Sequence, residues 1–136
     1  MKLLTKNTDY AVRALLHLAR EKGEYVSAKV IARKEGIPER FLKRILTLLK
    51  KRRLISSLEG VNGGARLRAA PGKIRITEIM ELFQGKFQLS ACMFKKELCP
   101  NRATCPLRVR IRKIENKMYR EFDKTTIADL IDDLKQ

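Results

Sequence analysis

Cys92, Cys99 and Cys105 stand in the order C-x6-C-x5-C and are the only 3 cysteines in the chain. A lone cysteine is ordinarily an inert, small hydrophobe. Three of them gathered in one polar stretch, ACMFKKELCPNRATCP, fit soft-metal chemistry better, because thiolates ligate both zinc and iron–sulfur clusters. The odd number speaks against a disulfide framework. Structural zinc favours closely paired knuckles and four ligands, whereas wider spacing on a long loop suits a larger cluster. Lys95, Lys96 and Arg102 lie close by in the chain and suit the negative charge of a thiolate-bound cluster. Zinc and a metal-free thiol switch stay open on spacing alone.

A second group of residues points to a polyanion. Lysine and arginine number 31 against 15 acidic residues, a formal charge of +16, and each phosphate that a cation neutralises releases counterions. Charge by itself leaves DNA, RNA and mere solubility open. The spacing says more: Arg40, Lys43 and Arg44, at i, i+3 and i+4, share one face of a helix, opposite Leu42, Ile45 and Leu49. On the second helix of a helix-turn-helix, such side chains reach base edges, and arginine bonds guanine in bidentate fashion. Lys50, Lys51, Arg52 and Arg53 follow at the far end, where phosphate contacts position a protein without reading sequence. In the turn EGVNGG, Asn62, Gly63 and Gly64 either allow close backbone approach to phosphate or only close a tight turn.

These groups need elements to hold them. Asn7, Thr8 and Asp9 form a plausible N-cap region for a helix over residues 9–21, with Ala11, Val12, Leu15, Leu16 and Ala19 at helical spacing. Ser27 caps a short second helix that Gly36 stops in a left-handed conformation. Pro38 opens a third at its first position, with Phe41, Leu42, Ile45, Leu46 and Leu49 as the apolar face. Residues 54–58 and 65–69 read as strands flanking the glycine-rich turn, a hairpin directly after a recognition helix and therefore a wing. Thr77 caps a helix over residues 77–83 that Gly85 ends, and about twenty structureless residues, an unusual length unless functional, then carry the cysteines. Pro106 starts a long helix with Leu107, Ile111, Ile114, Met118 and Phe122 as an apolar stripe, and Thr126 with Asp129 starts a last one over residues 127–134. The division expected is 1–85 for DNA binding, 86–105 for the cysteine loop, 106–124 for the long helix and 125–136 for the tail. The fold class is mainly α, a winged helix-turn-helix with a two-stranded β wing plus a long helix.

An enzyme is not expected, because no histidine-based acid/base pair, phosphate-cradling loop or nucleophile–base arrangement stands out, and no small-molecule substrate is implied. No apolar run reaches the roughly 18 residues of a membrane span, and residues 1–8 lack a signal-peptide core, so no membrane partner and a cytoplasmic location are expected.

Over essentially its whole length the chain resembles the IscR/NsrR (Rrf-type) winged-helix transcription regulators. The matching segments are LTKNTDYAVRALLHLA, GVNGGARL, ITEIMELFQG, the three-cysteine loop and TTIADLIDDL. The resemblance implies a homodimer on a palindromic operator in double-stranded DNA, with the helix over 106–123 crossing its partner as the dimerisation helix. It also implies that Cys92, Cys99 and Cys105 ligate an iron–sulfur cluster of the 2Fe-2S or 4Fe-4S type. IscR-like members add a histidine three residues after the last cysteine, where this chain has Arg108. In NsrR-like members an aspartate from the other subunit reaches the cluster, and Asp9 corresponds to it. As a plain alternative, Asp9 serves the dipole of its own helix. His17, the only histidine, lies two turns further along. Glu59 stands where many relatives carry a minor-groove arginine. The competing readings are a regulator without a cluster, working as a thiol switch or through a partner protein, and a basic RNA-binding module.

Overall fold

The computed structural model describes residues 3–89, 101 and 103–136. Six helices are present among them: α1 (Lys6–Arg20), α2 (Ala28–Glu35), α3 (Glu39–Lys51), α4 (Ile76–Gln84), α5 (Pro106–Lys124) and α6 (Ile127–Leu134). Two strands, β1 (Ile55–Leu58) and β2 (Gly64–Leu67), pair antiparallel between α3 and α4, with Ile55 opposite Leu67 and Ser57 opposite Ala65. Mainly helical, with a two-stranded wing, the architecture is the expected one.

Local chemistry explains several boundaries. The Ser27 hydroxyl accepts from the Val30 amide at the start of α2, and Gly36 closes that helix in the left-handed region at φ 65°. Thr126 and Asp129 complete a reciprocal capping box on α6, and Pro106 opens α5, where its missing N–H is no loss. Other boundaries depend on distant residues. Helix α1 starts at Lys6, ahead of the expected cap region, because the Thr5 hydroxyl accepts from the Thr8 amide and Gln84 of α4 accepts from the Thr5 N–H. Thr77 does not cap α4: Arg75 is the N-cap residue, and the Thr77 hydroxyl donates instead to Asp123 on α5 at 2.7 Å. Pro38 lies just outside α3, with ψ 128°, so the helix proper begins at Glu39.

The core gathers Leu15 and Leu18 of α1, Leu42 and Leu49 of α3, Ile79 of α4 and Ile127 of α6, all nearly inaccessible to solvent. Burial of side chains this size contributes about 1.5–3 kcal/mol each. Phe41 departs from the expected apolar face. One residue before Leu42 is about 100° around the helix, and Phe41 is 45% exposed while Leu42 is fully buried. Helix α6 packs back onto α1, and its first amide, Ile127 N–H, donates to the Ile74 carbonyl at 3.0 Å. Among the described residues no helix is long and apolar enough to cross a membrane.

Candidate nucleic-acid interface and sensor segment

Helices α2 and α3 meet at the Gly36–Ile37–Pro38 turn, with Ile37 buried as its anchor. The core holds α3 by Leu42, Ile45 and Leu49, which leaves Arg40, Lys43, Arg44, Lys50 and Lys51 exposed along the outside. Lys43 pairs with Glu39 one turn back at 3.3 Å, an exposed contact of small energetic weight that water or phosphate can replace. Arg53, just past α3, takes a left-handed conformation with φ 60°.

The wing is fastened as well as paired. Val26 and Ala65 exchange two backbone hydrogen bonds of 2.8 Å, which joins the segment before α2 to β2. A Cβ on Gly64 would collide with the Val26 backbone, and one on Gly63 with the Leu58 carbonyl, so both glycines are needed inside the wing itself. Asn62 is exposed at its tip beside Val61, which is fully solvated. Sequence reasoning passed over Arg66, whose guanidinium lies 4.6 Å above the Tyr25 ring and extends the basic surface onto β2. An arginine two strand positions from a glycine turn, with an aromatic residue before α2, is a pattern that long-range pairing alone reveals.

Of the sensor candidates, Cys92 and Cys99 lie outside the described residues. Cys105 is a partly exposed free thiol at the N-cap of α5. The end of a helix that presents unpaired N–H groups accommodates the negative charge of a metal-bound thiolate, so Cys105 fits the donor role expected of it. Among the described residues no three histidine, cysteine or acidic side chains converge as metal ligands. Asp9 sits in the first turn of α1, exposed, and accepts from Arg13 Nε at 3.1 Å and Nη2 at 2.9 Å. The other Arg13 nitrogen, Nη1, donates to the Glu35 carbonyl at 2.7 Å, one residue before the Gly36 turn. His17 is buried and bonds through Nδ1 to Glu35 Oε1 at 2.8 Å, tying α1 to α2.

The ends of the cysteine segment are anchored. On its α4 side, Gln84 is bonded to Leu3, Thr5 and Thr8 at the start of α1. Phe87 packs in contact with the rings of Tyr119 and Phe122, at centroid distances of 5.8 and 6.0 Å, and Glu115 of α5 accepts from the Leu89 amide at 2.9 Å. Further along α5, Leu107, Val109 and Ile114 are more than half exposed, and the helix contains no fully buried residue.

A turn-linked helix pair with a cationic outer face and a fastened wing is the fold of a DNA-binding transcription regulator. Residues 4–133 match the Rrf2 family, described as an iron-dependent transcriptional regulator, and the chain belongs to that family. Among its relatives, a protein of Aquifex aeolicus that carries the name of an HTH-type transcriptional regulator is 33% identical over 95% of this chain and 91% of its own. Protein rrf2 of Nitratidesulfovibrio vulgaris is 31% identical over 98% of this chain and 89% of its own. The solved structure of CymR from B. subtilis, titled the global cysteine regulator, superimposes with a TM-score of 0.77 at 23% identity, covering 97% and 98% of the two chains. IscR of T. potens gives 0.76 at 24% identity over 98% of this chain and 88% of that one. These relatives are regulators rather than enzymes, as the sequence led one to expect.

Proposed function

We propose that the chain is a cytoplasmic, homodimeric regulator whose affinity for a palindromic operator depends on an iron–sulfur cluster held by Cys92, Cys99 and Cys105. The fourth donor is Asp9, supplied by the other subunit. The carrying observation is the polar path from Asp9 through Arg13 to the Glu35 carbonyl, which links the candidate ligand to the helix-turn-helix. When bound, such a cluster supplies a crosslink between thiolates that oxidation or iron loss dissolves.

The rest is the work of the chain's own residues. Arg40 and Arg44, exposed on α3, are the candidates for reading base edges, and Lys43 shares their face. Lys50, Lys51 and the Asn62–Gly64 wing tip are the candidates for phosphate contact, the lysines and Asn62 being exposed. The exposed Leu107 and Ile114, seven residues apart and so on one face of α5, supply apolar area for a second copy. Both Arg13 bonds fall on Asp9 Oδ2, and a turn of the side chain toward a metal would break them. Withdrawing its carboxylate frees Arg13 to shift at the carbonyl that ends α2, and with it the turn leading to α3. Half-sites lie about one helical turn of DNA apart, so a small change in the spacing of two α3 helices alters affinity.

The test is iron, sulfide and visible absorbance on anaerobically isolated protein and on Cys99→Ala, followed by binding of both to a duplex selected from a random pool. Colour and iron lost with Cys99, together with a change in affinity between loaded and cluster-free protein, are expected. Equal affinity in the two states sinks the cluster as regulator. One second reading, a cluster-free switch on the same thiols, is favoured by Cys105, a partly exposed free thiol. Colourless anaerobic protein whose binding still changes on thiol oxidation would establish that alternative.

A further inference from the structure

We propose that Phe41 is a base-reading residue that contacts the 5-methyl group of a thymine in the major groove; this rests on the DNA-binding reading above. A lone exposed apolar side chain is ordinary on any protein surface. The setting of Phe41 is not ordinary. It is 45% exposed and takes no part in the core or in the apolar shell packed against it. It sits in the first turn of α3, between Arg40 before it and Arg44 one turn after it, both exposed.

That turn of a recognition helix is the part that reaches base edges. The cations on either side supply the charge complementarity that brings a duplex to this face, and they bond phosphate oxygens or guanine. A phenyl ring has no hydrogen bond to offer there. In the major groove, thymine alone presents a methyl group, and apolar side chains, phenylalanine among them, are what recognise it. Covering the ring with a thymine methyl removes apolar surface from water on both sides, which the exposed ring of the unbound protein cannot do for itself. Leu48 lies seven residues on, about 10 Å further along the axis on nearly the same flank, and is 36% exposed. It is placed beyond the base-reading turn and serves as the control.

The experiment uses the full-length protein and the preferred duplex it selects from a random pool. Each thymine in a half-site is replaced in turn by deoxyuridine, which deletes the methyl and keeps every hydrogen-bonding group. For the unaltered protein, one position is expected to weaken binding roughly fourfold, the worth of one buried methyl. Phe41→Ala is expected to bind thymine and uracil at that position equally, and Phe41→Leu to keep part of the preference. Leu48→Ala should leave the ratio unchanged. Because Phe41 is outside the core, matching melting temperatures for the variants will show that folding is not the cause. Indifference of the unaltered protein to every thymine-to-uracil change overturns the proposal, as does a ratio that survives in Phe41→Ala. Failure to select any preferred duplex removes the DNA reading itself, a separate and recognisable outcome.

Discussion

Replacing Gln84 by alanine should cost about 2–3 kcal/mol of stability, and most of that loss should be traceable to the start of α1. The Gln84 side chain accepts from Thr8 Oγ1 at 2.7 Å and from the Thr5 amide at 3.1 Å, and donates to the Leu3 carbonyl at 3.0 Å. Each such bond contributes a net ~1 kcal/mol. Thr8 is fully buried, so its hydroxyl cannot turn to water when the partner is lost, although Thr5 Oγ1 at 3.0 Å still satisfies part of its capacity. Thr8→Val keeps the shape of the side chain and removes only the hydroxyl, at about 1 kcal/mol. The bond of Thr8 to Gln84 is counted in both single variants, so their summed loss should exceed that of the double variant by about 1 kcal/mol. Urea unfolding at one fixed protein concentration measures the cycle, since association contributes to apparent stability. In melting temperature, Gln84→Ala corresponds to a drop of roughly 6–12 °C for a chain of this size. A coupling below ~0.5 kcal/mol, within ordinary additivity, would refute the idea that the residue before the cysteine segment holds α1 in place.

Other outcomes follow from the same geometry. Arg40→Ala should lose about 1–3 kcal/mol of discrimination at one base position, whereas Lys50→Ala should weaken all sequences alike and lower the salt slope by about one, as read by titrations at several ionic strengths. Ile114→Glu should convert a particle of twice the 15.7 kDa chain mass into a single chain by light scattering, because a charge would then face the exposed stripe of a second α5. Arg53→Gly should raise stability by about 1 kcal/mol, since its left-handed backbone suits glycine, while DNA affinity falls with the lost cation. Partial burial, then the carboxylates of Glu81 and Asp123, push the Tyr119 phenol above its ordinary value. The folded state therefore holds that proton more tightly. The contribution of Tyr119 to stability should be fully present below about pH 10 and be lost as pH rises beyond it, and Tyr119→Phe should remove that part of any alkaline decline in unfolding curves.

Which features were legible in the sequence follows from how local their causes are. Ser27, Gly36, Pro106 and the Thr126–Asp129 pair act within one turn of their own position, and each does in the structure what its type and spacing imply. The wing was readable for a similar reason, since a glycine-rich turn between two short apolar stretches leaves few other arrangements. Thr77 looked like a cap because threonine commonly is one, but an acceptor 46 positions away, Asp123, takes its hydroxyl. The early start of α1 depends on Gln84, 79 positions from Thr5. Periodicity likewise grouped Phe41 with Leu42, although the buried stripe of α3 is narrow, taking Leu42, Ile45 and Leu49 and leaving Phe41 outside it. The candidate site divides the same way. The basic face of α3 could be read from spacing, while Arg13, Glu35 and Arg66 became visible only once distant elements were brought together.

The size of these contacts also decides how a signal from the cysteine segment could reach DNA. Helix α3 is embedded through Leu42, Ile45 and Leu49, each at most 2% exposed. Core changes at such positions cost about 2–5 kcal/mol apiece, and packed interiors resist gradual deformation. A useful regulatory coupling is only about 1–3 kcal/mol, a 5- to 150-fold change in affinity. Repacking the core against α3 is therefore too costly a route, whereas exchanging one or two polar contacts at ~1 kcal/mol each is the right scale. Contacts of that kind are those of Gln84, at the end of α4, with Thr5 and Thr8, and those of Arg13 with Asp9 and Glu35. Both involve α1, which packs against α3, α4 and α6. On these magnitudes, variants at Gln84 or Arg13 should alter any response to thiol state more than the operator preference.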